Sequence, residues 1–177
     1  MPRVRVAPSD IEGKGVFAAE PVGPDDTVLV LDTSRLVTAE DPLRPEAGES
    51  EEHLAHLSGG RVVLLPAPER HLNHSCDPNA YLETVDGETR VVARRRIEKG
   101  EEVTLDYLIN VHGGSSWDCG CGAGRCRGTL ETSFFELPEE FQREYLPLLE
   151  DWFVEEHRER VERLRRRLGR GSGRRFT

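Results

Sequence analysis

The chain of 177 residues has no long apolar run, few aromatic residues and almost no lysine. No stretch approaches the roughly 20 apolar residues that a membrane-spanning helix needs, and the first residues lack the apolar run of a signal peptide. We therefore expect a soluble intracellular protein, cytoplasmic or, in a eukaryote, nuclear, with no membrane partner. Only Lys14 and Lys99 are lysines among 24 basic residues, a bias toward arginine that carries no functional signal.

Several common catalytic and nucleotide-binding motifs are also absent. The chain contains no Ser-His-Asp order, no Walker loop and no nucleotide-binding Gly-x-Gly-x-x-Gly. The segment Gly13-Lys14-Gly15 by itself is typical of an ordinary tight turn. The sequence therefore gives no support to a triad hydrolase or a P-loop enzyme.

Charge is unevenly distributed along the chain. The formal net charge is −9, yet residues 158–177 hold nine arginines and two glutamates, a net of +7 that leaves −16 on residues 1–157. An acidic body favours encounter with a basic partner and argues against direct nucleic-acid binding by the core. Alternatively, the acidity only keeps the protein soluble.

Short apolar and β-branched runs predict a β-rich body in one domain. The predicted strands cover 4–6, 16–18, 27–31, 61–66, 81–85, 89–94 and 102–105. Residues 38–60 are acidic and interrupted by Pro and Gly, which predicts a surface insertion with one short helix over Glu51 to Leu57. This insertion either lines a substrate groove or is a variable loop without a role.

One polar segment, Arg70 to Asn79, concentrates two amides, two imidazoles and a thiol. Its Asp-Pro step and asparagines favour a turn, so we expect it to form neither strand nor helix. Strands are predicted on both sides of it. A polar turn between strands is a place where a functional site can be built.

The pattern becomes helical after Leu137. Pro138 followed by two glutamates suits a helix start, and Pro147 predicts a break before a longer helix over about 147–168. The apolar positions fall on one face, which either packs on the body or serves a partner or a second copy in an oligomer. We expect a frayed tail over 171–177.

The four cysteines predict a metal site. Three of them form a C-x-C-x4-C run that is too crowded for disulfides within itself, and an intracellular chain rarely forms disulfides. A structural zinc ion held by four thiolates fits this pattern; buried free thiols or a redox pair are the alternatives. Such an ion would fasten the late glycine-rich segment to the polar turn. The predicted ligands are Cys76, Cys119, Cys121 and Cys126.

Four segments in this order resemble the SET-domain protein lysine methyltransferases with a zinc-binding post-SET segment. They are Gly13 to Ala18, Arg70 to Asn79, Gly100 to Tyr107 and Cys119 to Gly128, and the likeness runs from about residue 4 to about 130. The resemblance implies a mainly β fold, a SET-type fold of several small sheets with a threaded, knot-like C-terminal segment, plus a C-terminal helical appendage. The expected organisation is a SET domain over 1–115 with a short insertion at about 38–60, a post-SET zinc segment over 116–136, a helical extension over 137–170 and a tail over 171–177.

The resemblance also implies methyl transfer from S-adenosylmethionine to the ε-amine of a protein lysine. Tyr107 matches the tyrosine that borders the methyl-transfer channel. The matching positions for cofactor contacts are Lys14, Gly15, Arg70, Asn73 and His74, with Leu130 covering the adenine.

The chain departs from the family in having no tyrosine before Tyr81, although many relatives place a second tyrosine in the channel. This departure keeps open an alternative, a catalytically weak SET-fold binding or interaction module stabilised by zinc. As substrate, the acidic body suggests a basic, lysine-containing protein or peptide such as a histone, a histone-like protein or a ribosomal protein.

Overall fold

The structure, a computed structural model, describes residues 3–170. Over that range the chain forms eleven short strands. They are β1 (Val4–Pro8), β2 (Lys14–Ala18), β3 (Thr27–Val30), β4 (Leu54–Leu57), β5 (Arg61–Leu64), β6 (Asn73–His74), β7 (Ala80–Val85), β8 (Glu88–Ala93), β9 (Glu102–Leu105), β10 (Trp117–Asp118) and β11 (Thr129–Leu130). The seven strands predicted from apolar and β-branched runs are all confirmed, with ends that differ by one or two residues.

Helices are short in the first half of the chain and longer near its end. The α-helices are α1 (Glu139–Tyr145), α2 (Asp151–Glu156) and α3 (Arg158–Arg170). Single 3-10 turns cover Pro45–Ala47, Glu51–His53, Ser58–Gly60, Glu69–His71, Phe134–Glu136 and Leu146–Leu148.

The largest sheet has the strand order β1-β2-β9-β6. Strand β2 is antiparallel to both β1 and β9, whereas β6 runs parallel to β9, with Asn73 opposite Thr104 and His74 opposite Leu105. A parallel pair requires a long crossover, and here almost thirty residues separate the two strands in sequence. This pairing brings the polar segment alongside the strand that ends just before Tyr107, as the SET-type fold implies.

The remaining sheets are small. Strand β8 lies between β3 and β7, β4 forms a hairpin with β5, and β10 pairs with β11. Buried valine, leucine and isoleucine side chains from the two larger sheets form one core, which includes Val16, Val91, Ile97 and Val103 with no exposed surface. The fold is therefore mainly β with several small sheets and a C-terminal helical segment, which confirms the predicted fold class.

The chain divides into two compact units. The first contains the chain up to Tyr107 together with Asp118–Gly128, and the second contains Leu108–Trp117 and the residues from Thr129 onward. The core of the second unit is aromatic: Phe134, Tyr145 and Phe153 are all buried, and the Phe135 ring stacks on that of Phe153. The predicted functional boundaries at about 115, 136 and 170 stay predictions, and the predicted tail lies outside the described residues.

Two local predictions in the first half are wrong. The expected helix over Glu51 to Leu57 is a single 3-10 turn followed by strand β4, because the two glycines of the Ser58–Gly60 turn adopt positive φ angles (70° and 69°) and fold the chain back into a hairpin with β5. The polar segment, expected to form neither strand nor helix, contains a 3-10 turn and strand β6. Tertiary pairing with β9 supplies hydrogen bonds that local sequence does not predict.

The C-terminal helices also differ from the expectation in one respect. Helix α1 begins after Pro138 and the chain breaks at Leu146–Leu148 around Pro147, as predicted. The longer helix, however, is interrupted at His157, whose backbone angles (φ −109°, ψ 27°) leave the helical region, so α2 and α3 are separate. Within residues 3–170, no helix has both the length and the apolar character to cross a membrane.

Candidate functional site

The amide of Asn73 holds the Gly13-Lys14-Gly15 turn against strand β6. Its Nδ2 lies within hydrogen-bond distance of the carbonyl oxygens of Glu12 (3.2 Å) and Lys14 (3.1 Å). It also lies 3.2 Å from Ser9 Oγ and 2.8 Å from Glu102 Oε1. The structure therefore brings together two segments that the sequence analysis assigned to one cofactor site.

The carboxylate of Glu102 is the centre of this polar cluster. It accepts hydrogen bonds from Ser9 Oγ (2.9 and 2.8 Å to its two oxygens) and from Asn73 Nδ2. The same carboxylate packs against Gly15, where an added Cβ would lie only 2.1 Å from Oε1. A larger residue at this position would therefore push the Glu102 carboxylate away from Ser9 and Asn73.

His74 is buried between the turn and the segment that follows β9. Its Nδ1 accepts a hydrogen bond from the backbone N–H of Tyr107 (3.1 Å), and its Nε2 lies 3.4 Å from Cys76 Sγ. Burial is the main cause that lowers the pKa of His74 to about 4, against the opposing effect of Asp106. In a neutral ring whose Nδ1 is an acceptor, the proton is on Nε2, so the imidazole donates to the sulfur.

Tyr107 lies two residues after the end of strand β9. Its residue surface is 48% exposed, but its hydroxyl is directed inward and donates to the Leu72 carbonyl oxygen (2.5 Å). Burial of the hydroxyl, with smaller contributions from Glu12 and Glu102, raises the pKa of Tyr107 to about 12. The phenol is therefore protonated at neutral pH and presents an oxygen beside a backbone carbonyl.

Three of the four cysteines lie in one cluster with His74. One ligand atom from each of His74, Cys76, Cys119 and Cys121 lies within 4.8 Å of the others, which is close enough for one metal ion. The sulfurs of Cys76 and Cys119 are 3.8 Å apart. The thiol of Cys126 is exposed and donates to the Cys119 carbonyl (3.5 Å), and it interacts with the thiols of Cys119 and Cys121.

Backbone N–H groups point at the clustered sulfurs. Cys76 N–H donates to Cys121 Sγ and Arg127 N–H donates to Cys76 Sγ, both at 3.4 Å. Burial acts to raise the pKa of Cys121, but donors from Cys76 and Ala123 outweigh it and lower that pKa to about 7. At Cys76 and Cys119, by contrast, burial is the main cause that raises the pKa above its ordinary value, so the thiolate, which is the form of cysteine that binds metal, is favoured most at Cys121.

A buried ion pair joins the cysteine-rich segment to the residue before Tyr107. Arg127 Nη2 donates to Asp106 at 2.9 Å, and the two side chains are only 8% and 0% exposed. Burying two charges is tolerated only when they are paired with good geometry. Arg127 thus contacts both the Cys76 sulfur and the strand end that carries Tyr107.

The remaining predicted residues lie in less enclosed positions. Lys14 is exposed at the start of β2, and Arg70 is exposed in a 3-10 turn on the edge of a cavity of about 250 Å³. Other residues lining this cavity include Glu49 and His53 from the acidic insertion. Leu130 is buried in β11 of the second unit, and its assignment to the adenine stays a prediction.

Sequence reasoning missed four residues of the site: Ser9, Glu102, Asp106 and Arg127. Two of them could have been found from the sequence. Asp106 precedes the predicted catalytic tyrosine, Arg127 follows the last predicted metal ligand, and their opposite charges favour an ion pair. Ser9 and Glu102 had none, since only the β2–β9 pairing brings them together.

Comparison with known proteins gives a consistent result. The family model described as the SET domain matches residues 13–108. The chain is 51% identical over 141 residues to histone-lysine N-methyltransferase ASHR3 of Arabidopsis thaliana, covering 73% of this chain and 28% of that protein. It is 34% identical over 138 residues to histone-lysine N-methyltransferase set-2 of Caenorhabditis elegans, covering 72% of this chain and 9% of that protein.

The chain thus spans less than a third of the length of these two relatives. A crystal structure of a Plasmodium falciparum protein is 21% identical and covers 65% of this chain and 96% of that chain, with a TM-score of 0.46.

Gly15→Ala should destabilise the protein through Glu102. The new methyl group would displace the carboxylate from Ser9 and Asn73, and we expect a loss of about 1–3 kcal/mol in the free energy of unfolding. The measurement is urea denaturation followed by circular dichroism. In the double variant Gly15→Ala/Glu102→Ala the clash is absent. Its loss in free energy of unfolding should therefore be smaller than the sum of the losses measured for the two single variants. Additive losses would show that Glu102 does not constrain Gly15.

The ionisation of Tyr107 should be displaced to high pH. Subtracting the alkaline absorbance titration of Tyr107→Phe from that of the wild type at 295 nm isolates this phenol, and we expect no signal below about pH 11. Because the folded-state pKa is raised, the associated stability is present below pH 10 and is lost as the pH rises through about 12. A Tyr107 signal centred near pH 10 would contradict the buried hydroxyl.

Proposed function

Because the chain belongs to the SET-domain family, we propose that it is a protein-lysine N-methyltransferase that uses S-adenosylmethionine to methylate the ε-amine of lysine. The observation that carries this proposal is the oxygen pair formed by the Tyr107 hydroxyl and the Leu72 carbonyl. This pair lies in the same unit as the turn held by Asn73. Incubating the purified protein with labelled S-adenosylmethionine and basic lysine-bearing proteins tests it directly.

The donor set at the turn fits the proposed cofactor. Within residues 3–170, neither Lys14 nor Arg70 has a carboxylate partner, and the Arg70 side chain donates to His71 Nε2 at 3.4 Å. Two unpaired cations next to a close-packed glycine turn suit the carboxylate of an amino-acid-bearing cofactor. Asn73 holds this turn, and His74 holds the backbone of Tyr107.

When bound, S-adenosylmethionine supplies a methyl group on a positively charged sulfur. Methyl transfer to an amine is an in-line displacement, so the main task of the protein is alignment, which alone can contribute on the order of 7 to 11 kcal/mol. The Tyr107 oxygen retains acceptor capacity after donating its proton to Leu72 O. The two oxygens could therefore orient the incoming amine and accept weak carbon-donor hydrogen bonds.

No side chain near Tyr107 has to act as the general base. Tyr107 itself is excluded from that role at neutral pH by its raised pKa of about 12. The lysine amine, with an ordinary pKa of about 10.4, is brought toward its neutral form by desolvation and by a nearby positive charge. Burial of the substrate amine in the channel thus replaces a dedicated base.

For the metal, we propose a structural zinc ion held by Cys76, Cys119, Cys121 and Cys126. His74 lies close enough to be considered as a ligand, but its Nδ1 is occupied by the Tyr107 N–H, and its Nε2 proton is directed at Cys76 Sγ. An imidazole in this state has no free lone pair for a metal. It suits a supporting role in which it donates to a metal-bound thiolate.

The substrate class follows from charge and from the relatives. Both reported relatives are named histone-lysine N-methyltransferases. Residues 1–157 carry a net charge of −16, which favours encounter with a basic protein. We propose a basic, lysine-containing partner such as a histone, a histone-like protein or a ribosomal protein.

One sequence feature favours a second candidate, a SET-fold binding module with little activity. No tyrosine precedes Tyr81, so the second channel tyrosine of many relatives is missing. Calorimetry with S-adenosylmethionine and its demethylated product shows whether the cofactor site is intact, and the labelled-cofactor assay shows whether a methyl group is transferred. An enzyme binds both compounds and labels a basic protein, whereas a binding module transfers no label, whether or not it still binds the cofactor.

Tyr107→Phe should lower methyl transfer by roughly 10²-fold or more, by analogy with the loss of a single oriented polar group in other active sites. Affinity for S-adenosylmethionine, measured by calorimetry, should stay within a few-fold of the wild type because the turn and Asn73 are untouched. The matched control is Tyr81→Phe in β7, for which we expect wild-type turnover. Unchanged turnover in Tyr107→Phe would reduce this residue to a packing role.

Zinc content should distinguish the proposed ligands from His74. We expect about one zinc ion per wild-type chain by atomic spectroscopy, and loss of that ion in Cys76→Ser and Cys126→Ser. His74→Gln keeps a donor and an acceptor, so it should retain zinc with an affinity weakened by about 10- to 100-fold at most. Retention of zinc in Cys126→Ser together with its loss in His74→Gln would replace Cys126 by His74 in the ligand set.

A further inference from the structure

Helix α3 has one apolar face and one strongly basic face. Val161, Leu164 and Leu168 are buried in the second unit. Apart from Gly169, the rest of the helix is charged: its thirteen residues include seven arginines and two glutamates, a net charge of +5. This excess contrasts with the acidic body and has no role in the proposed methyl transfer.

Three of these arginines line a groove of about 330 Å³ in the second unit. The lining contains no carboxylate among the described residues; it consists of Phe135, Gln142, Arg160, Arg163, Leu164 and Arg167. Like charges repel one another when they are gathered in one concavity, unless an anion neutralises them. The groove therefore has the electrostatic character of an anion-binding site.

Two of the guanidinium groups are held in place by the groove itself. Arg160 lies over the Phe135 ring, 5.4 Å from its centre. Arg167 donates to the side-chain oxygen of Gln142, which is 2% exposed and whose nitrogen in turn donates to the Phe135 carbonyl (2.7 Å). A guanidinium that is already ordered loses less side-chain entropy when it pairs with a planar anion.

The third guanidinium is weakly engaged. Arg163 lies 3.5 Å from Glu159, but the two side chains are 66% and 91% exposed, so this ion pair contributes little. Residues 160, 163 and 167 are spread over seven helical positions, a rise of about 10 Å. The charges thus form a row along the helix rather than a single point.

We propose that this face of α3 binds the phosphate backbone of duplex nucleic acid. A row of arginines matches a polyanion that carries one charge per roughly 1.7 Å of helix axis. Helix α3 carries a net charge of +5 over thirteen residues, which is more positive charge than a short acidic peptide would neutralise. This inference concerns the C-terminal extension alone and is independent of the proposed methyl transfer.

The geometry also predicts how the nucleic acid is recognised. Phe135 stacks on Phe153 on one side and carries Arg160 over its ring, so this aromatic ring has no free face for a base. The contacts are therefore to phosphates and independent of sequence. Since the body repels a polyanion, we expect weak binding that falls steeply as salt increases.

The test is fluorescence anisotropy of a labelled duplex of about 20 base pairs with the full chain, between 50 and 200 mM KCl. We expect micromolar binding at the lowest salt and a linear fall of log K with log salt. Each lost phosphate contact removes about 0.9 from the slope, so the triple variant Arg160→Gln/Arg163→Gln/Arg167→Gln should lower its magnitude by about three. The control Arg44→Gln/Arg61→Gln/Arg96→Gln makes the same charge change on exposed positions of the first unit and should retain the wild-type slope.

A second variant keeps the test informative if the triple variant does not fold. Arg163→Gln leaves the Arg160–Phe135 and Arg167–Gln142 contacts intact, and we expect the magnitude of its slope to fall by about one. Circular dichroism confirms that each variant is folded. The proposal is overturned if the wild-type protein does not bind duplex at 50 mM KCl. It is also overturned if the triple variant has the same salt slope as the control variant.

Two further experiments test whether this face of α3 binds a different partner, and a positive result in either one, without duplex binding, overturns the proposal. If a poly-glutamate peptide binds in an arginine-dependent manner and duplex does not, the face serves an acidic protein. If light scattering shows self-association that the triple variant abolishes, with no duplex bound, the face serves a second copy of the chain.

Discussion

The hydrogen bonds of the His74 imidazole are the constraint on which the site depends. One ring nitrogen accepts the Tyr107 backbone N–H, and the other is directed at the Cys76 sulfur. This single side chain therefore connects the cysteine cluster with the residue that we propose to be catalytic. The parallel pairing of β6 with β9 makes the connection possible, because it places His74 beside the end of the strand that precedes Tyr107.

Other contacts reinforce the same connection from both sides. Arg127 binds the Cys76 sulfur through its backbone and Asp106 through its side chain. On the opposite side, Asn73 and Glu102 hold the glycine turn. Tyr107, which we propose aligns two reactants, needs this support because its ring is partly exposed and is not fixed by packing alone. The proposed zinc ion would act at one end of this network and the cofactor turn at the other.

Much of the fold could be predicted because its strands are encoded locally by β-branched runs. The clustering of Cys76 with Cys119 and Cys121 could be predicted from the cysteine pattern, whereas the catalytic role of Tyr107, implied by the resemblance of its segment to the SET family, stays a prediction. Strand β6, the β4–β5 hairpin and the break at His157 could not, since pairing partners and tertiary contacts decide them. Glu102 and Ser9 escaped for the same reason: they are more than ninety positions apart, and only the completed sheet brings them into contact.

If the proposed zinc site holds Tyr107 in place through His74, hydrogen exchange of the Tyr107 amide depends on the metal, and measuring that exchange is the most direct test. Nuclear magnetic resonance can follow this one amide in the zinc-loaded protein and after chelation of the metal. The account predicts slow exchange in the loaded protein and exchange at least about tenfold faster after chelation, because the acceptor His74 is then released. Equal exchange rates in the two states would contradict it.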